Sequence, residues 1–205
     1  MRYQRLLKQR NAALRSDPRQ LPAWDEPLAQ AGEVVAGFRR EAAEQLMGQL
    51  ELRLGEFGDF DGFAWSHHPG WSRGEALLEV LQRTRMRDRE QGFTAQGPHR
   101  AELRLQVMGR EAKEVLSRGQ QKTLATLMLL SLAETYRAAR QATPVILLDD
   151  LAAELDSRHR EHLLHHLTAL DGQILLTALE GGELAPWLPS STCRFAVQAG
   201  NISVL

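Results

Sequence analysis

Val145-Ile146-Leu147-Leu148 is a continuous apolar run that follows Pro144 and stops at two adjacent acids, Asp149 and Asp150. Four apolar residues in a row offer no polar face to water. A strand made from them is expected to be buried on both sides, as strands of parallel sheets are. A helical stretch at 157–170 and a second apolar run at 174–176 follow. Strand, helix and strand with short connections form a βαβ unit, which predicts an α/β fold with a parallel sheet.

The rest of residues 93–205 agrees with that class. Leu103, Leu105 and Val107 alternate before a turn at Gly109-Arg110, as in a hairpin. Residues 119–140 form a strongly apolar helix, and 195–197 and 202–205 flank Gly200-Asn201, a two-residue hairpin signal. Residues 1–92 differ in texture and read as mainly helical. Trp24, Leu28, Ala31, Val35, Phe38, Ala42, Leu46 and Leu50 recur in steps of three and four. That spacing predicts one long helix with an apolar stripe against its neighbours. Residues 55–74 are rich in Gly and aromatics and read as strands or loop, and 77–89 return to helix. The division expected is a helical region at 1–92 and an α/β region at 93–205.

Composition narrows the function classes. The 205 residues suffice for one sizeable domain or two small ones. The 25 Lys+Arg nearly cancel the 26 Asp+Glu, so neither disorder nor a bulk basic nucleic-acid binder follows. One cysteine, Cys193, excludes an internal disulfide framework and a Cys-cluster zinc site, and it reads as a small core residue. Residues 1–8 have no apolar secretion core, and no apolar run is long enough to span a bilayer. A soluble protein of the reducing cytoplasm, without a membrane partner, is the expectation. Two basic clusters stand out, residues 1–19 and Arg83, Arg85, Arg87 and Arg89. They suit solvated helix faces or contact with nucleic-acid phosphates, for which Arg83, Arg85 and Arg87 are the candidates.

Three elements carry chemistry. An apolar strand ending in acids places carboxylates at the C-terminal edge of a sheet, where open α/β folds bind ligands. Asp149 there can hold Mg²⁺, mainly through water, because that ion keeps most of its hydration shell. Asp150 can orient an attacking water or take its proton. A plain acidic strand-to-loop turn would use the same residues. Leu116-Ser117-Arg118-Gly119-Gln120-Gln121-Lys122 opens the long helix, and Ser117 with Gln120 is a capping-box pattern. Such an end is a well-capped helix, and it also offers free N–H groups and positive potential to a phosphate. Ala152-Ala153-Glu154-Leu155-Asp156 comes next, with Asp156 suited to cap the 157–170 helix. His159, His162, His165 and His166 crowd that helix. His162 and His166 have metal-pair spacing but no evident third ligand, which favours a solvated face.

Taken in order, these elements resemble the head of ABC-type ATPases. Residues 116–121 match the signature motif, 145–150 the Walker B strand and 153–156 the D-loop. The run at 116–122, the run LLDDLAAELD at 147–156 and Gly97-Pro98-His99-Arg100 together resemble the RecF family. So do the opening Tyr3…Leu7-Lys8-Gln9-Arg10-Asn11 and the Trp24-Asp25 pair. The resemblance covers essentially the whole chain. It implies the C-terminal lobe of an ABC-type head, a parallel sheet with helices, at 93–205, preceded by a mainly helical arm at 1–92. It implies a cytoplasmic, SMC-related, DNA-binding ATPase of recombinational gap repair, DNA replication and the SOS response. ATP and Mg²⁺ are the implied cofactors, and DNA junctions, RecR, RecO and an ATP-dependent homodimer the implied partners. In that scheme Ser117, Arg118, Gly119 and Gln120 meet the nucleotide of the other subunit. Asp149 serves Mg²⁺, Asp150 polarises the catalytic water, and Asp156 crosses the dimer interface.

The departures are as informative. No glycine-rich phosphate loop ending in Gly-Lys-Ser/Thr is present, since Gly119-Gln120-Gln121-Lys122-Thr123 lacks a second Gly and lies inside the signature. The glutamine loop is missing too, and Thr177-Ala178-Leu179 stand where many ABC heads carry a switch histidine. The chain is therefore expected to begin inside the arm and to hold only the trans half of an ATP site. A non-catalytic DNA- or partner-binding module is one alternative, and part of another ABC-type ATPase is a second. The long arm and Asp150 in place of the usual Glu argue against a transporter subunit.

Overall fold

A computed structural model describes residues 2–150, 157–170, 172–179 and 184–205. The chain forms two compact units, one of Met1–Gly48 with Asp61–Val115, the other of Gln49–Phe60 with Leu116–Leu205.

The first unit starts with α1 (Arg2–Ser16) and α2 (Leu21–Phe57), whose last turns belong to the second unit. Strand β1 (Ala64–His68), α3 (Leu77–Arg83) and α4 (Arg85–Gln91) follow. Gly92, at φ +74°, ends α4 in the left-handed conformation that glycine adopts freely. Strands β2 (Glu102–Val107) and β3 (Arg110–Glu111) lead into the short α5 (Ala112–Val115). The sheet is antiparallel in the order β1-β2-β3, with Trp65 opposite Leu105 and Val107 opposite Arg110. This pairing keeps the hairpin at 102–111 with β1 in the first unit. Contacts consequently part the chain at 48–49, 60–61 and 115–116, and not at 92–93.

The apolar core of this unit joins Tyr3, Leu28, Ala29, Trp71, Leu77, Val80 and Leu81. The stripe on α2 is buried at Leu28 and at Leu50, but Phe38 is 68% exposed and Ala42 is exposed as well. An unbroken buried face was the expectation. The two ends of the helix serve separate units, which leaves its middle in water.

At the centre lies a charge. Arg10 is fully buried. Its Nε donates to Asp25 Oδ1 at 2.7 Å, and its Nη1 donates to Asp88 Oδ2 at 2.7 Å and to Thr94 Oγ1 at 2.8 Å. Asp25 also accepts from Arg85 Nε at 2.6 Å, Asp88 from the Ala95 N–H at 3.0 Å, and Asn11 Oδ1 from the Thr94 hydroxyl at 2.7 Å. A member of the N-terminal basic cluster is thus an interior group. A second polar link joins the chain start to the 98–100 turn. The Tyr3 hydroxyl donates to His99 Nδ1 at 2.7 Å, and His99 Nε2 donates to Thr94 O at 3.0 Å. Burial pushes the Tyr3 hydroxyl up to about 12, against smaller pulls from His99 and nearby arginines. Close backbone approach completes the link. Gly70, at φ +102°, leaves no room for a side chain, since a Cβ would lie 2.0 Å from Gly97 O.

The second unit contains α6 (Arg118–Arg140), β4 (Val145–Leu148), α7 (Ser157–Ala169) and β5 (Gln173–Leu176). Strands β4 and β5 are parallel, with Ile146 opposite Ile174, as the βαβ pattern predicts. A terminal hairpin of β6 (Phe195–Gln198) and β7 (Asn201–Val204) turns at Ala199-Gly200, one residue earlier than expected. Both turn residues have positive φ, which matches the twist of the strands they join. Leu54 and Phe57 of α2, Leu127 and Leu130 of α6, and Leu163 and Leu167 of α7 are buried. Arg53 reaches Glu134 at 2.5 Å and Ser131 Oγ at 3.1 Å. The apolar strands are covered on one face only. Val145 and Leu175 are more than half exposed and Leu147 is 72% exposed, where burial on both faces was expected.

Two outcomes follow for the first unit. Arg10→Met leaves Asp88 without its cation and Asp25 with Arg85 alone. A loss of about 3–5 kcal/mol in urea unfolding is expected, and Arg10→Lys recovers little because an ammonium cannot form the fork. His99 is pushed below its ordinary 6.5, chiefly by burial. The unfolded chain then binds its proton more readily, so this contribution to stability is full above about pH 6.5 and shrinks as pH falls toward the depressed folded value. The urea midpoint should drop between pH 7.5 and 5.5, and His99→Gln should drop less.

Candidate nucleotide site

Strand β4 runs into Asp149 and Asp150 at its C-terminal end, beside the end of β5. The ladder continues one rung past the strands, where the Thr177 N–H donates to Leu148 O at 2.9 Å. The Thr177 hydroxyl donates to Asp149 Oδ1 at 2.5 Å and accepts from the Asp150 N–H at 2.9 Å. Asp150 has φ +48°, a left-handed conformation uncommon outside glycine and tolerated best by Asn and Asp. Its Oδ1 is buried and has no hydrogen-bond partner among the described residues. A buried carboxylate oxygen without a partner is costly, and a bound ion or water is one way to satisfy it. Sequence alone had marked position 177 only as one lacking a histidine. The signal available was a hydroxyl directly after the strand that pairs with the acidic one.

Helix α6 begins as the spacing predicts. Ser117 caps it, its Oγ accepting from the Gln120 N–H at 3.2 Å while Gln120 Oε1 accepts from the Ser117 N–H at 2.9 Å. Those two side chains hold the end in shape. Gln121 Nε2 donates back to Leu116 O at 2.9 Å. Ser117 and Arg118 are exposed, and Gly119 and Gln120 partly so. The positive end of a 23-residue helix therefore faces outward. Among the described residues, no hydrogen bond or ion pair joins 117–120 to Asp149 or Asp150. Asp156 lies outside the described residues.

Other candidates land elsewhere. Arg83 pairs with Glu75 at 2.5 Å and Arg85 with buried Asp25 at 2.6 Å, while Arg87 is exposed. Three imidazoles of α7 pack on the Phe57 ring, with centroid separations of 5.8 Å for His159, 5.3 Å for His162 and 6.1 Å for His166. His159 Nε2 meets Asp59 at 2.5 Å and His166 Nε2 lies 3.2 Å from Glu56. A solvated histidine face was expected, yet only His165 is exposed, because Phe57 draws the others inward. Burial, above all, lowers the His166 pKa. No group of three or more metal-ligating side chains occurs among the described residues. Cys193 is exposed and not in the core, since the strand it precedes lies in the open terminal hairpin. No helix among the described residues is long and apolar enough to cross a membrane.

Ser117→Ala removes the cap and should lower stability by about 1 kcal/mol in urea unfolding, with Ser117→Asp close to wild type. No protein-family model matches the chain. It is 39% identical over 207 residues to the DNA replication and repair protein RecF of Thioalkalivibrio sulfidiphilus, covering 99% of this chain and 57% of that protein. It is 42% identical over 209 residues to the RecF of Xanthomonas axonopodis pv. citri, covering 98% of this chain and 56% of that one. A solved structure of the recombination mediator protein RecF–ATP, of the RecFOR pathway, matches with a TM-score of 0.78 at 23% identity. That match covers 100% of this chain and 57% of the other, and it shows the α/β fold. The chain spans a little over half the length of the relatives it matches, and over that span it is similar to RecF proteins.

Proposed function

We propose that this chain supplies the phosphate-sensing and water-activating side of a RecF-type, ATP-dependent DNA-repair head. The observation that carries this reading is Asp150, a carboxylate at the end of a parallel strand, next to a second acid, with a buried oxygen that has no partner among the described residues. Two carboxylates at a sheet's C-terminal edge are a donor set suited to Mg²⁺, a hard cation that retains several waters. Mg²⁺ held there would offset the charge of a nucleotide's phosphates. Asp149 would hold one of the ion's waters. Asp150 would orient the attacking water and receive its proton. The outward N–H groups of Arg118 and Gly119, shaped by Ser117 and Gln120, would receive the γ-phosphate of ATP carried by a second subunit. Asp156, just beyond the acid pair in sequence, would cross that interface.

The sequence has no Gly-Lys-Ser/Thr phosphate loop, so the 205-residue chain is not expected to turn over ATP by itself. The exposed Val145, Leu147 and Leu175 support this reading, because a parallel sheet is ordinarily covered on both faces and further polypeptide would complete this one. ATP-dependent pairing, binding of DNA junctions, and work with RecO and RecR in gap repair and the SOS response would belong to the assembled, cytoplasmic protein.

The expected result is no ATP turnover by the purified chain, and Mg²⁺-dependent turnover once a subunit with a phosphate loop is added. Asp150→Asn should lower that turnover by about 10²–10⁴-fold. Turnover by the chain alone that Asp150→Asn abolishes would refute the division of labour. Failure of any phosphate-loop subunit to restore turnover would favour the non-catalytic module. DNA affinity should fall with salt through counterion release. Of the three candidate arginines Arg87 is the one outside an ion pair among the described residues, and Arg87→Gln should reduce the salt slope by about one unit.

A further inference from the structure

We infer that Thr177 is the positioning residue of the acid pair, its hydroxyl tying Asp149 to Asp150 across the parallel strands and holding Asp150 in its left-handed conformation. A threonine hydroxyl has one proton to give and lone pairs to accept with. Here the proton goes to Asp149 Oδ1 at 2.5 Å, and a lone pair takes the Asp150 N–H at 2.9 Å. Thr177 is exposed, so water was available to it, yet both capacities point at the two acids. Its own backbone is fixed by the N–H bond to Leu148 O at 2.9 Å, which places the hydroxyl beside the end of β4.

The consequence for Asp150 is geometric. A non-glycine residue at φ +48° persists only where its surroundings over-determine it. Capture of its N–H by a hydroxyl fastened to the neighbouring strand is such a constraint. Among the described residues Oδ1 of Asp150 has no hydrogen-bond partner, which suits it to a ligand. The bond donated to Asp149 is charge-assisted and fixes that carboxylate's orientation as well. Thr177 touches neither nucleotide nor attacking water in this scheme and acts only through the acids. The inference deepens the proposed reading of the pair as a cation and water site and rests on it for purpose. The hold on Asp150 can be measured independently of that reading.

Valine matches threonine in shape and can neither donate nor accept, whereas serine keeps the hydroxyl. NMR of the 205-residue chain, with Mn²⁺ as the cation probe in electron paramagnetic resonance titrations, separates the cases. In Thr177→Val the Asp150 backbone resonances should leave the left-handed range and its amide should exchange several-fold faster. The Thr94 amide, in the other unit, should stay unchanged and so report intact folding. Mn²⁺ affinity should fall by about tenfold or more, as when an outer partner of a metal ligand is lost. Thr177→Ser should restore both, and Thr177→Ala should reproduce the loss if valine disturbs packing. Asp150 resonances and Mn²⁺ affinity both indifferent to Thr177→Val and Thr177→Ala would overturn the inference. A wild-type chain that binds no Mn²⁺, with an Asp150 amide still released by Thr177→Val, would sink the cation reading and leave the positioning role standing.

Discussion

A guanidinium with no access to water organises the first unit. Arg10 is tolerable there only because Asp25 from α2, Asp88 from α4 and Thr94 from the following loop reach it together. Each partner comes from a different stretch of chain, so each stretch must arrive in one register. Clusters of this kind add little net stability over an apolar core, but breaking one leaves a bare charge inside. The same economy of polar groups runs through the rest of the unit. Asn11 serves Thr94, Thr94 serves both Arg10 and His99, and His99 takes the Tyr3 hydroxyl. Tyr3, Arg10, Asn11, Asp25 and His99, which carry part of the family resemblance, are therefore linked to one another, in part through Thr94. Their role here is architectural.

Much of this was readable from residues, and the failures have physical causes. The βαβ unit and the capping box at Ser117 depend on local periodicity and local hydrogen bonds, which a sequence displays. The inward turn of Arg10 depends on tertiary partners. Even so, Arg10 lies in helical phase with Tyr3, Ala13 and Leu14, all buried, and Asp25 lies between Leu21 and Leu28 in the same way. A charged residue in phase with an apolar stripe is the trace such a network leaves. The exposure of Val145 and Leu147 could not be read, because four apolar residues look alike whether one face or two are covered. The histidines of α7 misled for a related reason, since an imidazole packs on Phe57 as readily as it faces water.

In the second unit, rigidity and openness are placed side by side. The α6 N-terminus is locked by its own cap while Ser117 and Arg118 at that end stay exposed. The acid pair is locked by a hydroxyl just past the next strand, while one oxygen has no partner among the described residues. In both places the polar groups that shape the site are satisfied internally, and those that could meet a ligand are left over. Preorganisation of this kind lets a phosphate or a water be bound without rearrangement at the moment of reaction.

The left-handed backbone at Asp150 sets the alphabet allowed at that position. Asparagine and glycine would keep the chain's path, because short amide side chains and a missing Cβ tolerate this region. Glutamate would keep the charge but bring a longer side chain onto a backbone that disfavours it. Charge and backbone thus ask for different substitutes, and aspartate is the acid that meets both. Drift at this position should therefore run toward asparagine or glycine, silencing the proposed chemistry while leaving the fold intact.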